Sequence, residues 1–235
     1  MPTIVSISGI DGCGKSTTNL PTIDHYDSQG LRVVKFGTPI FMQEGGDRTY
    51  FGRGFSSCID SAHAHFDKKD ARRKVGVINT GYCLAHSIIR QYVLRRYKPD
   101  LVINGRDQVL DSAVYSNFYF GSTRHFKPAG KLQLYRSILH EDYPDLLIFM
   151  NVSTKTALSR IQKRLDEEST GVRKTLREKF VHMHETADNL ELLRGWFYQH
   201  LYELHKMGVN VRIIDAEQPK EIVNAQVIAS IDDIL

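Results

Sequence analysis

Gly9-Ile10-Asp11-Gly12-Cys13-Gly14-Lys15-Ser16 is the stretch on which the fold turns. It meets the pattern Gly, any four residues, Gly-Lys-Ser/Thr at every position. Glycines let the backbone curl so that successive N–H groups point inward at an anion. The preceding run Thr3 to Ile7 (TIVSI) is apolar and β-rich, and reads as a buried strand. A helix is expected from about Lys15 through Asn19 and Leu20 and past Pro21, its N-terminal dipole aimed at the same anion. Pro21 sits in the early turns, where a missing hydrogen bond costs least. Strand, amide-lined loop and helix in that order are what a phosphate-holding loop requires; a chance match in a surface loop would lack the flanks.

Each residue type then has a task. Gly9 to Thr17 would cradle the phosphates of a nucleotide, Lys15 would place its charge on the β and γ phosphates, and the Ser16 hydroxyl would reach Mg²⁺. Cys13 reads as a small residue that fits, or as a thiol lowered by Lys15 and the helix end. Asp11 is unusual here. A carboxylate beside a phosphate cradle costs electrostatic energy unless it has a donor of its own, such as a sugar hydroxyl on a second substrate. The alternative is a turn-stabilising residue. The motif specifies a nucleotide site and leaves the reaction open.

Outward from the loop, strands are expected at Leu31–Phe36, Leu101–Ile103, Leu146–Val152 and Val209–Ile214. Helices are expected at Asp70–Tyr97, Thr154–Arg164 with Ser153 as N-cap, Leu190–Lys206 and Glu221–Leu235. The last should bury Ile222, Val223, Val227, Ile228 and Ile231. Gly45 to Gly54 is polar and glycine-rich, and is expected to be a mobile loop. Continuous apolar strands alternating with helices imply an α/β fold, a three-layer α/β/α arrangement on a parallel sheet. With no linker or repeat, residues 1–235 read as a single domain. A polar, Arg-bearing segment at about 160–180 reads as a lid that excludes water, or as a solvated helix face.

Composition excludes other classes. The net charge of +4 is scattered rather than gathered in a tract, which argues for a small anion and against nucleic acid. The apolar run Leu146–Met150 is far short of the ~20 residues of a membrane helix. Cys13, Cys58 and Cys83 have no paired spacing, so a reducing cytoplasm without disulfides is expected. His182 and His184 are two apart and His200 and His205 five apart, which points their rings in different directions and argues against zinc. Tyr50, Phe51 and Phe55, near Arg48 and Arg53, stack a base or simply pack.

Ser8 to Thr17 (SGIDGCGKST) resembles the opening of thymidylate kinases, E-G-x-D-G-x-G-K-[ST]-T. Pro144 to Val152, followed by Ala157-Leu158-Ser159-Arg160 and Arg164, resembles that family's strand and lid entry. Val211 to Ala216 with Glu221-Ile222-Val223 resembles its last strand and helix. The resemblance implies the P-loop nucleotide kinase fold, with ATP and Mg²⁺ as cofactors and conversion of dTMP and ATP to dTDP and ADP. Asp11 would meet the 3′-hydroxyl of the nucleotide acceptor and Arg106 would hold its phosphate. Arg160 and Arg164 would close over the phosphates, with Arg173 and Arg177 as further lid candidates. Tyr115, in a weak echo of the family's S-x-x-A-Y-Q at Ser112 to Ser116, would lie on the substrate side. By analogy with the family the protein would be a homodimer, with helix 70–97 able to pack against its twin.

The departures cluster on the acceptor side. Gly105 stands where the family has the carboxylate of Asp-Arg-aromatic, and Asp107 where it has the aromatic. Gly37-Thr38-Pro39 replaces Arg-Glu-Pro, and Gly81 lies where a base-holding Arg is expected. Two alternatives therefore stay open. One is a kinase of the same fold for a deoxynucleoside, another nucleotide or a small metabolite. The other is a non-catalytic nucleotide-binding protein, though not a GTPase switch, since no N-K-x-D motif is present.

Overall fold

The computed structural model describes residues 2–36, 40–44, 47–51, 61–62, 65–66, 71–169 and 184–235; for 40–44, 47–51, 168 and 169 it describes the backbone alone. β1 (Thr3–Ser8) runs into α1 (Lys15–Ser28), then β2 (Val33–Phe36), β3 (Ile40–Glu44) and β4 (Asp47–Phe51). Next come α2 (Arg72–Tyr97), β5 (Leu101–Asn104), α3 (Gln108–Tyr119), a 3-10 turn (Gly121–His125), α4 (Pro128–Leu139) and β6 (Leu146–Asn151). α5 (Thr154–Ser169), α6 (Ala187–Lys206), β7 (Val211–Asp215) and α7 (Lys220–Asp232) complete the order.

One sheet gathers the strands in the order β4-β3-β2-β5-β1-β6-β7. The five strands from β2 to β7 are parallel, with Thr3 opposite Leu101 and Ser8 opposite Phe149 on either side of β1. β1 and its neighbours β5 and β6 are buried almost throughout, which is why they read as largely apolar runs, broken in β1 by the buried Ser6. Edge strand β7 leaves Arg212 and Ile213 exposed. Helices cover both faces. The carboxyl half of α2 packs on Val34, Phe36 and Val102, while the alternate residues Val33, Leu101 and Ile103 belong to the main core. The α/β class and the parallel sheet are thus as the sequence implies.

Three expectations are corrected. Gly45 to Gly54 was expected to be a mobile loop, yet it contains β4, which pairs antiparallel with β3 and extends the sheet beyond β2. α3 and α4 were not anticipated at all. The buried face assigned to the last helix is correct at Val223, Val227 and Ile231, but Ile222 is exposed. Elsewhere the boundaries shift by a few residues. α1 continues through Pro21, because Ile23 and Tyr26 are buried and the Tyr26 hydroxyl donates to Asp232 and to the Ile228 carbonyl of α7. Ser153 caps α5 as expected, its hydroxyl accepting from the Thr156 N–H at 3.2 Å. That helix runs to Ser169 rather than stopping at Arg164. Arg173, Arg177 and His182 lie outside the described residues, as do Arg53, Phe55 and the side chains of Arg48, Tyr50 and Phe51.

Buried charge stitches α2 to the end of α4. Arg90 pairs with Glu141 at 3.4 Å, both side chains almost fully buried, and the Ser87 hydroxyl donates to the Leu139 carbonyl. His86 lies in the same layer, edge-on to Phe36, with no hydrogen-bond partner on either ring nitrogen. Burial, helped by the Arg90 charge, pushes this ring down from 6.5 to about 4. The unfolded chain takes up the proton near 6.5, the folded chain only near 4. Acid therefore favours unfolding across that window. The urea midpoint should fall between those pH values, and less so in His86→Leu. Identical pH dependence in both proteins would contradict this.

Candidate active site

The loop between β1 and α1 occupies the carboxyl end of the central strand, where the sheet opens. Gly9, Gly12 and Gly14 all have positive φ. At Gly12 space compounds the backbone demand, since a Cβ there would stand 2.4 Å from the Ala157 carbonyl oxygen of α5. The Lys15 amino group folds back over the loop and donates to the carbonyls of Gly9 at 2.6 Å and Ile10 at 3.0 Å, with the buried Cys13 sulfur at 3.5 Å. Ser16 and Thr17 are exposed at the first turn of α1. A hydroxyl there is the kind of hard oxygen donor that Mg²⁺ takes, so the residues present fit that ion.

Asp11 is the junction of the site. Its Oδ1 accepts from Arg106 Nη2 at 2.6 Å, and its Oδ2 accepts from the Tyr115 hydroxyl at 3.1 Å and faces His184 Nε2 at 2.9 Å. Arg106 also donates to Asp111 Oδ2 at 3.2 Å, and the Asp111 Oδ1 accepts from Ser8, the last residue of β1. Burial alone would raise the Asp11 carboxyl. The Arg106 guanidinium, the His184 ring and Lys15 outweigh it and hold Asp11 well below the usual carboxylate range. Asp111 goes the other way, raised by burial despite Arg106 and Lys15, and burial raises the Tyr115 phenol as well.

Asp107 caps α3, its Oδ1 accepting from the Leu110 N–H at 2.8 Å, and burial raises its carboxyl too. The place of a side chain at 105 is taken by Asn19, because a Cβ on Gly105 would meet the Asn19 amide at 2.9 Å. Asp111 is thus the carboxylate that faces Arg106 and Lys15 from this strand end.

The arginines divide. Arg160 donates to the Cys13 carbonyl at 3.3 Å and the Ala216 carbonyl at 2.8 Å, spanning the phosphate loop and the segment after β7. Arg164 pairs with the buried Glu185 at 3.0 Å. Of the expected residues, the structure brings together Asp11, Lys15, Arg106 and Tyr115, with Arg160 at the loop's flank and Arg164 one layer away. Asp11, His184 and Glu185 place three metal-ligating atoms within 4.8 Å, but Arg106 and Arg164 already neutralise the two carboxylates. His200, by contrast, is buried against its own helix, facing the Trp196 carbonyl at 2.7 Å, and His205 is exposed.

Sequence reasoning missed Asp111, Glu185 and the role of His184. Asp111 had a readable signal: Asp107 precedes Val109, Leu110, Ala113 and Val114 at helical spacing, an N-cap whose first turn carries Asp111 five residues beyond Arg106. His184 and Glu185 had none, because their partners are far away in sequence.

No protein-family model matches the sequence. A thymidylate kinase from Fervidobacterium nodosum is 24% identical over 213 residues, spanning 88% of this chain and 96% of that one. Among solved structures, a deoxyadenosine kinase from M. mycoides with products dCMP and a flexible dCDP bound matches with a TM-score of 0.62 at 17% identity, over 99% of this chain and 100% of that one. The same enzyme with bound dATP matches with a TM-score of 0.59 at 18% identity, over 98% and 99%. The likeness is one of fold: this chain has the architecture of the P-loop nucleoside and nucleotide kinases, and its sequence resemblance to thymidylate kinases is met by a relative of that name.

The crowding at Gly12 makes a direct prediction. Gly12→Ala should lose about 2 kcal/mol or more of stability, from left-handed backbone strain plus the clash with Ala157. An unaltered denaturation midpoint would show that the loop does not press against α5.

Proposed function

We propose that this chain transfers the terminal phosphoryl group of ATP to a nucleoside-class acceptor, with a nucleoside monophosphate such as thymidylate as the first reading. The observation that carries the proposal is the phosphate loop at the end of β1, with the Lys15 amino group folded over it and the Asp11–Arg106 pair beside it. Gly9 to Thr17 would hold the phosphates and Lys15 would turn from the loop carbonyls to the β and γ phosphates. Mg²⁺, held through Ser16, would neutralise developing charge when bound. Arg160, stretched between the loop and Ala216, would close the ATP side, while Arg164, braced by Glu185, lies further out.

On the acceptor side, Asp11 offers a carboxylate for a sugar hydroxyl, and Arg106, 37% exposed at its side chain, offers a cation for a phosphate. A nucleoside monophosphate carries both groups, and as an anion it needs no general base. Tyr115 would fix the carboxylate on the substrate side. The thymidylate kinase relative supports this acceptor.

A second reading has its own observation. The Arg106 charge is shared between Asp11 and Asp111, so an incoming phosphate must compete with two carboxylates, whereas an uncharged deoxynucleoside meets no such competition. The fold shared with a deoxyadenosine kinase is consistent with it.

The wider expectations stand as part of the proposal. Among the described residues no helix is long and apolar enough to cross a membrane, and Cys13 and Cys83 are free thiols, which suits a reducing compartment. Val77, Leu84, Ile88 and Tyr92 form an exposed apolar stripe on α2, with Ile88 71% and Tyr92 58% accessible, which supports a homodimer through that helix.

ADP release, followed for thymidylate, thymidine, deoxyadenosine and deoxycytidine with ATP and Mg²⁺, separates the readings. Highest turnover with thymidylate, together with a rise of about tenfold or more in its KM in Arg106→Ala, supports the monophosphate reading. A deoxynucleoside preferred, with KM little changed in that variant, selects the second reading. ATP bound without turnover on any acceptor overturns both. Lys15→Ala should lower turnover at least about a hundredfold while leaving the fold intact, and a fully active variant would refute the site.

A further inference from the structure

Asp11 receives more donors than a turn residue needs. They come from three parts of the chain: Arg106 beyond β5, Tyr115 on α3 and His184 ahead of α6. An ionised carboxylate has about four lone-pair sites. Among the described residues, Tyr115 and His184 occupy both sites of Oδ2 and Arg106 occupies one of Oδ1, so the remaining site lies on Oδ1 beside the guanidinium.

His184 is itself fixed on every side. Its Nδ1 faces the Tyr119 hydroxyl at 3.2 Å, and its ring stands edge-on to Tyr115 at 5.5 Å and to Phe118 at 6.2 Å between centres. Asp11 is ionised, so the hydrogen between it and Nε2 is donated by the ring, while Nδ1 lies against the Tyr119 hydroxyl. The next residue, Glu185, is 1% exposed and accepts from Arg164 of α5. The chain entering α6 is therefore pinned twice, to the phosphate loop through Asp11 and to α5 through Arg164. A histidine that merely filled space would not spend both ring nitrogens on polar groups from two different elements.

We propose that His184 is a positioning residue for the acceptor: with Tyr115 it fills Asp11 Oδ2, leaving the Oδ1 site beside Arg106 as the place where a sugar hydroxyl of the acceptor donates. The inference rests on the phosphotransfer reading above. It assigns His184 an effect on acceptor affinity and none on the ATP side, where Lys15 and Arg160 act.

The test is steady-state kinetics on His184→Phe, His184→Gln and Tyr119→Phe, with ATP and whichever of the four acceptors the unaltered protein phosphorylates fastest. Phenylalanine keeps the ring contacts and removes the donor; glutamine restores an N–H donor near the position of Nε2. His184→Phe should raise the acceptor KM about tenfold or more while the ATP KM stays within about twofold, the scale of one lost hydrogen bond to a charged group. His184→Gln should return the acceptor KM to within about threefold of the original. Tyr119→Phe, which frees the ring from its second anchor, should raise the acceptor KM by about threefold and carries the test if His184→Phe does not fold. An unchanged acceptor KM, equal rises in both KM values, or glutamine no better than phenylalanine overturns the proposal. If the unaltered protein phosphorylates none of the four, the phosphotransfer reading falls and takes this inference with it; turnover with an unaffected acceptor KM sinks this inference alone.

Discussion

Gly9 and Ile10 turn their carbonyls onto the Lys15 amino group, and the chain between must curl within the space left by α5 and by Met150 of β6. A Cβ at Gly9 would stand 2.8 Å from the Met150 carbonyl oxygen, and one at Gly12 would be closer still to Ala157. The loop can be that tight only where a central parallel strand ends and a helix begins. The neighbours on each side, β5 and β6, bring Arg106 and Arg160 to the same end of the sheet by the same topology. Site and fold are thus one constraint: parallel strands deliver their carboxyl ends together, and the loops after them meet.

The cluster around Asp11 is built from charge taken out of water. Asp11 and Asp111 share Arg106, and the two carboxyls respond in opposite directions, Asp11 pulled down by its cations and Asp111 pushed up by burial. Such a cluster is a poor source of stability, because desolvation consumes much of what pairing returns. What it provides is definition. Each oxygen of Asp11 has a stated partner and each partner belongs to a different element, so the direction in which the carboxylate accepts is set by the assembled fold.

Legibility in the sequence followed physical reach. β1, β5 and β6 are covered on both faces and show it as largely apolar runs. The phosphate loop was readable because its residues act together within eight positions. The β3–β4 hairpin was hidden, since Gly45, Gly46, Asp47 and Arg48 look like a loop and the pairing with β2 that makes it sheet is not local. α3 carries an N-cap and apolar residues at helical spacing, but ten of its twelve residues are buried, so it lacks the polar face that sets an amphipathic helix apart. In the middle of α2 the pattern is inverted, although Val75 and Val93 are buried. His86, Ser87 and Arg90 face inward toward α4 while Ile88 and Tyr92 face out, and hydropathy alone reads that backwards. Spacing along the chain sets His184 only against neighbouring histidines, whereas its partner Asp11 is 173 residues away.

The central claim is that the loop at the end of β1 grips a nucleoside triphosphate. Titration calorimetry of the folded protein with ATP in the presence of Mg²⁺ tests it most directly. The account predicts saturable binding of one nucleotide per chain, with a dissociation constant of about micromolar to millimolar. No detectable binding of ATP to protein shown to be folded would contradict it.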